Sequence, residues 1–168
     1  MIRRVPLLIG LLVLCAAAGA QRPDSSSTRD PASVQGLTAA EDAAPLWGKL
    51  RAAVERHLGK PYAWGAVGMR SFDCSGFVWR VMCESGIMVK RTTARKFYMM
   101  LPKVAAGEER RPGNIVFFNR TKHCGIVKDD RGFYHAAVRK GTCYAPFTPA
   151  WSAKICGYRA VPPPGTSE

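Results

Sequence analysis

The sequence predicts an α+β domain, with N-terminal helices packed on a central antiparallel β-sheet. Two observations carry this. From Pro45 to Leu101 apolar residues recur at helical spacing, and after Pro112-Gly113 the period becomes strand-like. Helices first and strands second is the α+β pattern. A third observation is size: about 120 residues lie between polar flanks, the length of one ordinary domain.

Ahead of the domain, Met1-Ile2-Arg3-Arg4 is cationic, Val5 to Ala17 is apolar, and Ala18-Gly19-Ala20 has the small-x-small pattern of a cleavage point. Residues 1–20 therefore read as a signal peptide. The apolar run is shorter than the roughly 20 residues of a spanning helix, and Leu14 argues against a lipid on Cys15, since lipoprotein signals place a small residue there. Residues 21–41 are too polar to pack a core and read as a disordered linker. The domain is placed at 42–161, and Pro162-Pro163-Pro164-Gly165 opens a flexible tail over 162–168.

Within the domain, Leu46, Trp47, Leu50, Val54 and Leu58 mark one face of a helix over 45–58 that Gly59 ends. A Gly- and aromatic-rich loop, 60–71, follows. Asp73 is placed to cap a second helix running toward Gly86. Gly76, in its first turn, lets something approach closely. A third helix is expected from Thr92 to about Leu101. Residues 114–118 read as a strand, Lys122–Val127 and Gly132–Val138 as a hairpin about Lys128-Asp129-Asp130-Arg131, and Cys156–Val161 as a last strand.

The chemistry-bearing residues follow from these elements. Cys74 falls in a first helical turn, where free N–H groups and the helix dipole favour thiolate. His123 and His135 are twelve apart about Asp129, so a hairpin centred there sets them opposite each other on one sheet face. One imidazole then orients the other as base for Cys74. Zinc ligation by Cys74, His123 and His135 is the rival reading, but it lacks a close-spaced ligand pair. A serine hydrolase through Ser75 lacks Gly-x-Ser-x-Gly.

At these residues the chain resembles the NlpC family of cell-wall cysteine peptidases, a compact branch of the papain-like superfamily. The likeness runs from about Leu46 to Ala160. It rests on Gly59-Lys60-Pro61-Tyr62-Ala63-Trp64-Gly65, Phe72-Asp73-Cys74-Ser75-Gly76-Phe77-Val78, Arg91-Thr92-Thr93-Ala94, Arg111 to Phe118, His123-Cys124-Gly125-Ile126-Val127 and Phe133-Tyr134-His135-Ala136. The resemblance implies Cys74 as nucleophile, His123 as general base and His135 as the third polar group. Tyr62 and the Cys74 N–H would hold the oxyanion, with Ser75 counted among the substrate-binding residues. It also implies a peptidoglycan stem peptide as substrate, commonly cut between D-glutamate and the diamino acid, with no metal or organic cofactor. Asn114, Ala66 and Cys124 depart from the usual aspartate, glycine and valine.

With 25 basic against 12 acidic residues the chain is strongly basic, +13 overall and +11 without Arg3 and Arg4. Such charge suits anionic partners, and no nucleic-acid module is recognisable. The expected partner is anionic cell wall, met by a periplasmic or secreted monomer with no membrane span after cleavage. The competing class is a catalytically silent wall-binding or regulatory protein of the same fold, or an amidase or acyltransferase acting on another amide. With Cys15 removed and Cys74 kept free, Cys83, Cys124, Cys143 and Cys156 remain. In an oxidising compartment they allow three pairings, of which Cys143–Cys156 is preferred and Cys83–Cys124 weaker.

Overall fold

The computed structural model describes residues 45–165; the expected signal peptide and linker lie outside the described residues. Residues 45–57 form α1. Leu50, Ala53, Val54 and His57 make its buried stripe, at the spacing of one helical face. Leu58, expected on that face, is 39% exposed. The helix has already ended, and Gly59, with φ +78°, turns the chain away. The Gly59 N–H then donates to the Thr142 carbonyl at 2.8 Å.

Helix α2, Cys74–Glu84, begins where the Asp73 carboxylate accepts the Gly76 N–H at 2.6 Å. It buries Phe77, Val78, Val81 and Met82. Gly76 is required: a Cβ there would meet the Ala66 carbonyl oxygen at 2.1 Å. That carbonyl accepts the Asp73 N–H at 3.0 Å, so the close approach pins the 61–72 loop onto the start of α2. At the other end Glu84 accepts from Arg56 and is bonded to His57, both at 2.8 Å, joining α1 to α2. Helix α3 is Ala94–Met100, capped by Thr93.

Five strands follow: β1 Ile115–Phe118, β2 His123–Asp129, β3 Gly132–Ala137, β4 Gly141–Pro146 and β5 Ile155–Arg159, with the short helix α4, Pro149–Ser152, before the last. They form one antiparallel sheet in the order β4-β3-β2-β1-β5. Alternation splits the side chains between two cores. Ile115, Phe117, Cys124, Ile126, Tyr134 and Ala136 pack toward the helices. Val116, Phe118, Val127, Phe133 and Ala145 pack on the opposite face against Phe147, Trp151, Ile155 and Tyr158. Each fully buried phenylalanine contributes roughly 1.5–3 kcal/mol of transfer free energy.

The α+β architecture is as the sequence predicts, with differences of detail. The β2–β3 turn is tighter than expected, with Asp130 and Arg131 between the strands and the Asp129 carboxylate accepting the Arg131 and Gly132 N–H groups. Strand β4 and helix α4 were not anticipated, and the last strand runs over 155–159 rather than 156–161. The disulfides are corrected outright. Cys83, Cys124, Cys143 and Cys156 are all free. Cys143 lies on β4 and Cys156 on β5, the two edges of the sheet, so four strand spacings, about 19 Å, separate them. Cys83 lies nine residues beyond Cys74 on α2, about 13 Å along the axis, whereas Cys124 is against Cys74.

Candidate active site

The start of α2 and the start of β2 meet at one end of the sheet. Cys74 is buried but borders a cleft of about 660 Å³ that Tyr62, Trp64, Asp73, Ser75 and Arg91 also line. The Lys122 carbonyl comes to 4.0 Å from Cys74 Sγ, and His123, the first residue of β2, is the next residue in the chain. The thiol pKa is lowered to about 5. A hydrogen bond with Cys124 lowers it most, burial opposes, and the hydrogen bond and charge of His123 lower it further. Cys124 itself is pushed well above the ordinary thiol range by the same contact and by complete burial. It therefore stays a thiol and can donate to a Cys74 thiolate.

The two histidines share a face, as expected, but not as opposed partners. Ile126 stands across from Tyr134 and Val127 from Phe133, so Gly125 is opposite His135 and His123 reaches it diagonally. Shifting the hairpin centre by one residue moves each partner by two and leaves the face unchanged. A Cβ at Gly125 would meet the Tyr134 carbonyl oxygen at 2.6 Å and the Phe133 ring at 2.7 Å, so only glycine fits there. His123 Nε2 lies 2.8 Å from His135 Nδ1, leaving His123 Nδ1 as the remaining ring nitrogen. Burial, then the charges of His123 and Lys140, hold His135 down at about 4. A neutral His135 with its proton on Nε2 presents Nδ1 as an acceptor for a His123 imidazolium.

Trp151, on α4, stacks on His123 at 5.9 Å and meets His135 edge-on at 5.2 Å. Phe118 and Phe133 complete the wall. No periodic pattern pointed to Trp151, because a four-residue helix is too short to show one. Arg91 belongs to a motif singled out above, but its partners were not foreseen. It donates to both Asp73 carboxylate oxygens, at 3.1 and 2.9 Å, and to Ser75 Oγ at 3.1 Å.

Ser75 Oγ also donates to Asp73 Oδ1 at 2.9 Å. Its hydroxyl is thus tied into the helix start while the residue lines the cleft. Tyr62 lines the cleft too, and burial, then the charges of Cys74 and Asp73, raise its pKa, keeping the hydroxyl protonated. Of the three departures, Asn114 is remote from the cleft: its amide donates to the Glu108 carbonyl at 2.7 Å and holds the preceding loop. Ala66 and Cys124 adjoin the start of α2.

The helix-start thiol and the two strand histidines thus lie in one α+β domain of helices packed on a five-stranded antiparallel sheet. The chain belongs to the NlpC/P60 family, whose sequence profile matches residues 59–160. It is 44% identical over 68 residues to a probable endopeptidase p60 of Listeria seeligeri, covering 40% of this chain and 13% of that protein. A probable endopeptidase of Haemophilus influenzae is 33% identical over 111 residues, 61% of this chain and 67% of the relative. The chain thus spans only about an eighth of the Listeria protein.

Among solved structures, a Staphylococcus aureus protein of the NLP/P60 family superposes with a TM-score of 0.61 at 26% identity, covering 69% of this chain and 41% of that one. RipD of Mycobacterium tuberculosis, described as a non-catalytic NlpC/p60 domain protein adapted to peptidoglycan binding, shares the fold with a TM-score of 0.58 at 15% identity. That match covers 68% of this chain and 95% of RipD. Among the described residues no helix is long and apolar enough to cross a membrane.

Proposed function

We propose that the domain is an exported cysteine endopeptidase that hydrolyses amide bonds in peptidoglycan stem peptides. The observation that carries this is a cleft-bordering thiol held at about 5, lowered in part by His123, whose Nε2 lies 2.8 Å from His135 Nδ1. The relatives named as endopeptidases support the reaction class. One relative, 33% identical over 92 residues, is the probable peptidoglycan endopeptidase LytE of Bacillus subtilis, and it supports the substrate.

In this reaction the Cys74 thiolate attacks the amide carbonyl. Charge developing on its oxygen is met by the Cys74 N–H and the Tyr62 hydroxyl. His123 delivers the proton to the leaving amine, and a thioester forms on Cys74. Water then gives a proton to His123 and its oxygen to the carbonyl, and the acid leaves as the thiolate returns. His135 keeps the imidazole ring in place throughout and accepts from it when it is charged.

The test is to incubate the mature protein, and a Cys74→Ala control, with purified peptidoglycan and resolve the soluble products by mass. New stem-peptide fragments from the wild type alone are expected. Silence from both proteins, with both retained on the wall, would replace the enzyme by a binding protein.

A further inference from the structure

Four cationic side chains line the cleft over Cys74: Arg91, Arg95, Arg120 and Lys122. Asp73 is the sole carboxylate among the lining residues, and it is already occupied by Arg91, Ser75 and the Gly76 N–H. Arg91 is thereby neutralised. Arg95, Arg120 and Lys122 take no part in any ion pair among the described residues. Three unpaired positive charges therefore stand at the rim of a cleft whose one free negative side chain is the Cys74 thiolate itself.

One of the three, Arg120, sits in strained backbone, and Lys122 follows directly after that segment. Asn119, Arg120 and Thr121 have φ of 53°, 53° and 64°, three consecutive non-glycine residues in the left-handed region. Left-handed backbone at non-glycine residues concentrates at ligand clamps. The loop is pinned by the Asn119 N–H on the Lys154 carbonyl at 3.0 Å and the Lys122 N–H on the Asn119 carbonyl at 3.2 Å. Arg95 faces the same cleft from α3. Arginine binds carboxylates through paired N–H donors, which a carboxamide cannot match in charge.

We infer that the cleft selects peptides with free carboxylates beside the scissile amide over the same peptides bearing carboxamides, and that Arg95, Arg120 and Lys122 make the distinction. The inference rests on the cleft being the peptide site proposed above. On a stem peptide the groups concerned are the free carboxylates of D-glutamate and of the diamino acid. Amidation preserves their shape and removes their charge.

The test uses Cys74→Ala protein, so that binding is read without turnover, and a stem tetrapeptide in free-acid and bis-carboxamide forms. The free acid is expected to bind at least about tenfold more tightly, with the margin narrowing from 0.05 to 0.5 M salt. In Arg95→Gln/Arg120→Gln the margin is expected to fall below about threefold. Arg95→Lys/Arg120→Lys, which keeps the charge, retains more of it. Equal affinity for the two peptides, or a margin untouched in the glutamine variant, overturns the inference. Wild-type turnover of the same pair separates the two proposals: a binding margin without cleavage leaves carboxylate selection standing and removes the peptidase.

Discussion

Around Cys74 the side chains are polar and paired, whereas around His123 and His135 they are aromatic. On the cysteine side Asp73 accepts from Gly76, Ser75 and Arg91, and a fully buried Cys124 contributes one more donor. On the histidine side Trp151, Phe118 and Phe133 exclude water and supply no strong hydrogen-bonding group to either ring. The polar side favours an ionised thiol, and the aromatic side favours a neutral His135. A base whose far nitrogen rests on a neutral acceptor can take a proton and give it back, which two charged imidazoles side by side could not do.

The sharpest break in this contrast is to remove its meeting point. His123→Ala is expected to lower kcat/KM on peptidoglycan fragments about 10³-fold, roughly 4 kcal/mol, and a loss under tenfold would deny His123 the role of base. Acid attacks the aromatic side next. His135 sits at about 4 against 6.5 when unfolded, so between those values the unfolded chain binds a proton that the folded one refuses. Its contribution is complete above pH 6.5 and is lost as pH falls toward 4, about 3 kcal/mol in all. Urea unfolding at pH 7 and pH 4 checks this, with His135→Asn expected to lose less and an equal loss counting against it.

On the polar side, Asp73→Ala removes a helix cap and the partner of a part-buried arginine. Denaturant titration should show a loss of about 2–3 kcal/mol, with Asp73→Asn, which can still cap, losing less. The smallest effect is expected from Cys124→Val. It deletes the donor that lowers the Cys74 pKa most, and should raise that pKa from about 5 to about 6, roughly 1.4 kcal/mol.

Cys74 and its cap were legible because both are local: Asp73 precedes the helix and its carboxylate need only reach three residues on. The histidines were legible through parity, which survives a hairpin shifted by one residue. Strand order is a long-range property, and it defeated the Cys143–Cys156 pairing by sending β5 to pair with β1 at the far edge. Strand β4 escaped notice because Gly141 opens it and Pro146 closes it, with Tyr144 exposed between them. The Arg91–Asp73 pair joins residues 18 apart through a loop that has no period of its own.

The most direct measurement is the rate of Cys74 alkylation by iodoacetamide against pH, followed by mass on the intact protein. The expected midpoint is about 5, displaced upward in His123→Ala. A midpoint at the ordinary thiol value of about 8.5, unchanged when His123 is removed, would contradict the activated thiol on which the proposed peptidase depends.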